Sequence, residues 1–303
     1  MPRNRNVRFF DGRTGSLLGG LFQNASITNA NFFSILIDVI LEVDTIPRIT
    51  LRSTGQILPV DLNPLTTGDY DISPSVHGGL LQISSERSQR RVYSESSSQS
   101  IQHTTFRDSV RARDGKCVVS GVVNVNRDED IWDVFEAAHI FPLTRRDTWA
   151  HLQFSRYVTY QTADPMNSAQ NGLLLLAGVH KRFDSYRISI DPDVSQFFLS
   201  SNLLYLLICI QDGYKVIDFS PDVLSVDGRI LDPVCRNPNS PNHVRDEFLR
   251  CHYRQAILAN VKGEGETTME HDFPPGSDIM GEIAEGPDAA EQMEVELFSR
   301  LDS

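Results

Sequence analysis

The sequence predicts an α+β protein in which short strands combine with a few helices. Apolar residues recur at helical spacing in two segments, 28–43 and 247–261. Between them lie short apolar runs bounded by turn residues, as is typical of strands, and the clearest are 135–141 and 171–176. The chain has 303 residues, of which 40% are hydrophobic and 22% are charged. These values are ordinary for a globular protein and argue against a wholly disordered chain.

Residues 1–85 are predicted to form a small mixed α/β module. Its helix should begin at Thr28 or Asn29, since both side chains are good N-caps. A hairpin is expected around residues 53–55, and one more strand over 68–72.

The next segment, 86–104, is rich in serine and poor in apolar residues, which predicts a mobile linker. Structure should resume over residues 105–220, the predicted central domain. Besides the two strands already named, we expect these elements there: a helix over 106–113, strands over 116–120 and 187–191, and a hairpin that joins 203–210 to 214–219.

The rest of the chain is predicted to divide into a helical extension, 221–262, and an acidic tail, 263–303. The tail has twelve Asp/Glu and one Arg, so it carries −11 of the net charge of −12. The other 262 residues carry only −1, so the acidity of the whole chain does not exclude nucleic acid as a partner of the body. The tail is either solvating charge or a mask for cationic residues of the body.

Membrane insertion and secretion are not expected. The longest strongly apolar runs are shorter than the ~20 residues that span a bilayer, and the N-terminus lacks the apolar core of a signal peptide. The four cysteines are widely spaced and form no CxxC pair, as is usual in a reducing compartment. We therefore expect an intracellular protein of the nucleus or cytoplasm.

Four residues of the central domain form a candidate reaction site. His139 lies near the end of one apolar strand, and Asn171 opens a second. His180 and Asp184 are four residues apart, so on a helix they share a face and can chelate one cation. A strand histidine that takes a proton from water, combined with such a pair, suits metal-assisted hydrolysis. Each residue alone has an ordinary structural interpretation, and the combination favours the reaction site.

The motifs AAHIFP, NGLLLL and HKRFD, in this order, resemble those of the HNH endonucleases. The resemblance covers about residues 106–193, and the C-terminal third is similar to the region after the nuclease domain in uncharacterised fungal HNH proteins. It implies a ββα-metal fold, in which two antiparallel strands pack on a helix around one divalent cation. It also implies that His139 is the general base, that Asn171 braces the loop between the strands, and that His180 and Asp184 bind the metal.

One position departs from the family pattern. Many HNH nucleases have a metal ligand directly before the general base, where this chain has Ala138. Glu136 is three residues before His139, so on a regular strand its side chain should face the other way. The cation would then depend on His180, Asp184 and water, which suits Mg²⁺, with Mn²⁺, Ni²⁺ or Zn²⁺ as alternatives. An inactive HNH scaffold that binds nucleic acid or protein is the alternative function.

Phosphate contacts are expected from cations near the motif residues. We expect the nucleic acid to be DNA rather than RNA, while the sequence predicts no oligomeric state. The candidate contacts are Arg107, Arg111, Arg145, Arg146, Lys181 and Arg182.

Overall fold

The N-terminal part of the chain folds as a four-stranded sheet with one helix. Its elements are β1 Val7–Asp11, β2 Leu17–Leu21, α1 Asn29–Ile35, β4 Arg48–Leu51 and β5 Gly68–Ser73. The strand order is β2-β1-β5-β4; β1 pairs parallel to β5, and the other pairs are antiparallel. Tyr70, on β5, is buried against Phe32 of the helix α1. The predicted strand at 68–72 is confirmed. The predicted hairpin around 53–55 is confirmed by backbone hydrogen bonds from Leu51 to Gln56 and from Leu58 to Ile49.

The structure is a computed structural model, and all the residues that it describes belong to one compact unit, residues 3–266. Among the described residues, no helix is long and apolar enough to cross a membrane. The predicted strand 203–210 and the acidic tail from residue 264 onward lie outside the described residues, and so does most of the predicted linker. The described residues are 4–76, 78–89, 101–159, 162–193 and 213–263.

The helix α1 begins as predicted but ends earlier. Thr28 is its N-cap, because the Thr28 hydroxyl accepts a hydrogen bond from the Asn31 backbone amide. In return, the Asn31 side-chain oxygen accepts one from the Thr28 backbone amide. The predicted helix continued to Val43, and that extension is wrong. The chain makes one wide helical turn over Leu36–Ile40 and then forms β3, Leu41–Val43. Pairing of β3 with β6, Leu81–Ile83, outweighs the helical spacing of its apolar residues.

The central part of the chain combines a long helix, two small antiparallel sheets and two shorter helices. The predicted helix at 106–113 is confirmed and begins earlier, at Ile101. The predicted strand at 116–120 is wrong, since the chain turns back there and the Cys117 amide donates to the carbonyl oxygen of Val122. The bounds are α2 Ile101–Asp114, β7 Phe135–His139, α3 Arg146–His151, β8 Gly172–Leu176, α4 Ala177–Asp184, β9 Ile188–Asp191 and β10 Lys215–Asp218.

The last described helix, α5 (Asp246–Val261), joins the two halves of the fold. Its N-terminal half packs with the aromatic cluster around Trp149, where Phe248 lies 5.0 Å from the Trp149 ring. Its C-terminal half packs into the core of the N-terminal sheet. Gly19 of β2 permits this contact, because a Cβ there would lie 2.2 Å from the carbonyl oxygen of Val261.

Candidate functional site

A strand–strand–helix unit carries the predicted motif residues. The strands β7 and β8 are antiparallel, with Phe135 opposite Leu176 and His139 opposite Gly172. The helix α4 begins directly after β8 and contacts both strands. In this unit Glu136 of β7 contacts α4, and His139 lies three residues further along the same strand.

His139 is held by two neighbours that the sequence did not predict. Its ring stacks on Phe106 of α2, with 3.8 Å between ring centroids and 8° between the planes. Its Nε2 atom lies 3.2 Å from Oδ1 of Asn167. The imidazole is thus half-buried: one face of the ring stacks on Phe106, and one ring nitrogen has Asn167 as its polar partner.

Asn171 ties the end of β7 to the start of β8. Its side chain is fully buried, and Oδ1 accepts a hydrogen bond of 2.8 Å from the Phe141 amide. Its Nδ2 donates to the carbonyl oxygens of Phe141 and Met166, each at 3.0 Å. Its own carbonyl oxygen accepts from the Ile140 amide. The residues that follow His139 are therefore fixed by a single asparagine.

His180 and Asp184 share a face of α4, and Glu136 of β7 joins them. Nε2 of His180 lies 3.1 Å from Oδ2 of Asp184, and Nδ1 lies 2.6 Å from Oε2 of Glu136. Burial opposes the charge on His180, but the hydrogen bonds to the two carboxylates outweigh it and raise the pKa of the imidazole to about 9. The hydrogen bond to His180 lowers the pKa of Glu136. Without a cation, these three side chains form a carboxylate–imidazolium–carboxylate cluster.

The donor types in this cluster suit a divalent cation. Imidazole nitrogen and carboxylate oxygen are common ligands of Mn²⁺, Ni²⁺ and Zn²⁺, and carboxylate with water suits Mg²⁺. His180 and Asp184 present adjacent donor atoms from one helix face, whereas Glu136 occupies the other ring nitrogen. Across the part of the chain that the structure describes, no group of three or more His, Cys, Asp or Glu side chains is arranged to hold a metal ion. The residues present thus fit a cation with two protein ligands.

Some of the predicted phosphate-binding cations lie at the surface. Lys181 is exposed directly after His180, and Arg145 is half-buried after β7. Arg107 is exposed and pairs with Asp108 at 3.0 Å. Arg111 lies 4.8 Å above the Trp132 ring, in a surface cleft of about 460 Å³.

Two predicted cations are held by carboxylates of the domain. Arg182 is only 13% exposed and contacts Oδ2 of Asp218 at 2.5 Å, so its guanidinium anchors β10. Arg146 contacts Oδ2 of Asp164 at 2.7 Å but stays 60% exposed. Arg182 is therefore poorly placed to meet a phosphate, whereas Arg146 still faces solvent.

The sequence predicted no role in the site for Phe106 and Asn167, and it did not place Glu136 in the metal-binding group, although Glu136 contacts His180 there. Glu136 had a usable signal: if the two predicted strands pair antiparallel, the end of the second strand, where the helix begins, lies beside the start of the first. Phe106 and Asn167 had none, since their contacts with His139 depend on how α2 and the loop before β8 pack.

Comparison with known proteins assigns the family of this region. Residues 117–191, which include all four motif residues, match the family described as HNH endonuclease. The match confirms the predicted family and indicates nuclease activity in general. Residues 4–78 match a domain of unknown function. No curated protein and no solved structure matches the chain. The resemblance to fungal proteins stays a prediction.

Proposed function

We propose that the HNH domain, residues 117–191, is a metal-dependent endonuclease that hydrolyses phosphodiester bonds in DNA. One observation carries the proposal: a single strand–strand–helix unit holds an imidazole at a strand end and an imidazole–carboxylate pair on its helix. The first suits proton transfer from water, and the second suits a cation. Mg²⁺ is the principal candidate for the cofactor, with Mn²⁺, Ni²⁺ and Zn²⁺ as alternatives.

His139 acts as the general base in this proposal. It takes a proton from the water that attacks phosphorus in line with the departing 3′ oxygen. Stacking on Phe106 and the hydrogen bond to Asn167 hold the ring in one orientation. Asn171 is a positioning residue, because it fixes the two residues that follow the base.

His180 and Asp184 would hold the cation. When bound, a divalent cation neutralises the phosphate and the charge that develops on the leaving oxygen. Glu136 accepts a hydrogen bond from Nδ1 of His180, which leaves Nε2 as the nitrogen that faces Asp184. The products would be a 5′-phosphate and a 3′-hydroxyl.

The proposed DNA contacts are the surface cations near this unit. Lys181 follows the metal-binding histidine directly, and Arg145 and Arg146 follow the strand that carries the base. Arg107 and Arg111 add positive charge on α2. Contacts of this kind bind the phosphate backbone and carry no sequence preference.

A plasmid-nicking assay with each of the four cations tests the proposal. His139→Ala should lower the rate by about 10²–10⁴-fold, the usual contribution of a general base. It should leave Mn²⁺ binding, measured by calorimetry, unchanged. His151→Ala is the matched control, because this histidine is exposed on α3 of the same domain. Nicking by His139→Ala at the wild-type rate would show that another group is the base.

A second candidate is an HNH scaffold that binds nucleic acid or protein without turnover. Two observations favour it: Ala138 occupies a frequent ligand position, and His180 already satisfies both carboxylates of the cluster. Wild-type protein that binds DNA but neither nicks it nor binds any of the four cations would establish this function instead.

A further inference from the structure

A chain of polar contacts runs from the surface to the proposed general base. Arg146 donates to Oδ2 of Asp164 at 2.7 Å, and Asn167 donates from Nδ2 to the same oxygen at 3.0 Å. Oδ1 of Asn167 then lies 3.2 Å from Nε2 of His139. The first two links have a defined donor and acceptor, and they constrain the proton position at the third, between Asn167 and His139.

The first link fixes Asp164 as an acceptor. Burial opposes its charge, but the hydrogen bonds from Arg146 and from the Met166 amide outweigh it and lower the pKa of Asp164. An ionised carboxylate can only accept hydrogen bonds. The side chain that faces its Oδ2 must therefore present N–H groups.

The second link fixes the orientation of the Asn167 amide. Its NH₂ group faces Asp164, because the reverse orientation would bring two acceptor oxygens together. Its oxygen then faces His139, and an oxygen acceptor requires a proton on Nε2.

We propose that Asn167 is the positioning residue that holds His139 as the Nε2–H tautomer, so that Nδ1 is the atom that accepts the proton from water. The inference rests on the proposed function and concerns the same site. Phe106 complements this contact, since stacking fixes the ring plane and the hydrogen bond fixes which edge of the ring faces Asn167. Arg146 and Asp164 act one step further away, by orienting the amide.

Nitrogen-15 NMR of the metal-free full chain tests the tautomer directly. The protein is labelled at histidine, the His139 signals are identified by their loss in His139→Ala, and the spectra are recorded at a pH where this ring is neutral. Wild type should carry its ring proton on Nε2, and that proton should exchange slowly. Asn167→Ala should lose the slow exchange and populate both tautomers. Asn126→Ala, at an exposed asparagine of the same domain, is the control and should match wild type.

Nicking kinetics with a conservative variant separate positioning from simple packing. Asn167→Ala should lower kcat by about tenfold at an unchanged KM, because a base that is no longer held in one orientation is in the reactive geometry less often. Asn167→Asp alone would set two carboxylates against each other, so it is made together with Asp164→Asn, which puts a donor back opposite residue 167. This double variant keeps an acceptor beside Nε2 and should recover most of that loss. Its carboxylate also favours the charged ring, so the acid limb of the pH profile should move to higher pH. Loss of packing alone would not shift that limb.

Two results would overturn the inference. One is a wild-type His139 with its proton on Nδ1, and the other is an Asn167→Ala variant with wild-type tautomer and kcat. Failure of the proposed function gives a different pattern. In that case wild type would not nick DNA at all, while the tautomer measurement would still report on Asn167.

Discussion

At the scale of single residues, one carboxylate decides how His180 meets a cation. Glu136 accepts from Nδ1, so Nε2 is the ring nitrogen beside Asp184. A partner of this kind fixes both the orientation and the tautomer of a metal-binding histidine. Glu136→Ala should therefore weaken Mn²⁺ binding, measured by calorimetry, by about 10- to 100-fold. Glu136→Gln keeps an acceptor without the charge, so its affinity for Mn²⁺ should lie between that of wild type and that of Glu136→Ala.

The control for this prediction is Glu129→Ala, at an exposed glutamate of the same domain that should leave the affinity unchanged. His180→Ala provides the reference for loss of a ligand. If Glu136→Ala binds Mn²⁺ as wild type does while His180→Ala does not, Glu136 has no part in holding the cation.

At the same scale, the sequence predicted the residues whose chemistry depends on local spacing. His180 and Asp184 lie on one helix face because they are four residues apart, and this required no knowledge of packing. Asn167 could not be predicted in this way. Its contact with His139 spans 28 positions of the chain and depends on how the loop before β8 folds back.

At the scale of elements, α2 and β8 meet so closely that Gly172 has no room for a side chain. A Cβ there would lie 2.6–2.7 Å from the Phe106 ring and from Val110. Gly172→Ala should therefore push α2 away, lower the free energy of unfolding by about 1–3 kcal/mol, and disturb the stacking of Phe106 on His139. Urea unfolding measures the first effect, and the His139 NMR signals measure the second.

Gly178→Ala is the matched control for this prediction. Gly178 lies in α4 with nothing within 4 Å of the added Cβ, so this change should stabilise the helix by up to about 1 kcal/mol. Equal effects of the two substitutions would show that the contact between α2 and β8 is not tight.

The positions of the strands were easier to predict than which strands pair with each other. Alternating and apolar runs located β7, β8 and β10, because these patterns depend only on which faces are buried. The pattern did not show that β10 pairs with β9, since pairing depends on the path of the chain between the strands. At 116–120 apolar residues favoured a strand, but a turn buries them instead.

At the scale of the whole molecule, a buried carboxylate lies where the N-terminal part meets the central part. Asp191 ends β9, and Nδ2 of Asn31 in α1 lies 3.5 Å from its Oδ2. Burial raises the pKa of Asp191 to about 7, and the hydrogen bond from the Asp193 amide only partly offsets this effect. The folded protein therefore keeps a proton on Asp191 at a pH where the unfolded chain has lost it.

The sign of the resulting pH dependence is set by proton linkage. An unfolded aspartate titrates near pH 3.9, whereas Asp191 in the folded protein titrates near 7. This group stabilises the fold fully below about pH 4, and its contribution is lost as the pH rises toward 7. The loss amounts to at most about 1.4 kcal/mol per pH unit.

Asp191→Asn should remove this dependence, because the amide stays neutral at every pH. The free energy of unfolding of wild type minus that of the variant should fall steadily between pH 5 and pH 7.5, as measured by urea unfolding. Groups whose pKa is lowered by folding, such as Asp164, titrate in both proteins and cancel in the difference. Asp133→Asn, at an exposed position, should give a difference that does not change with pH. A constant difference for Asp191→Asn as well would mean that the junction carries no titrating carboxylate in this range.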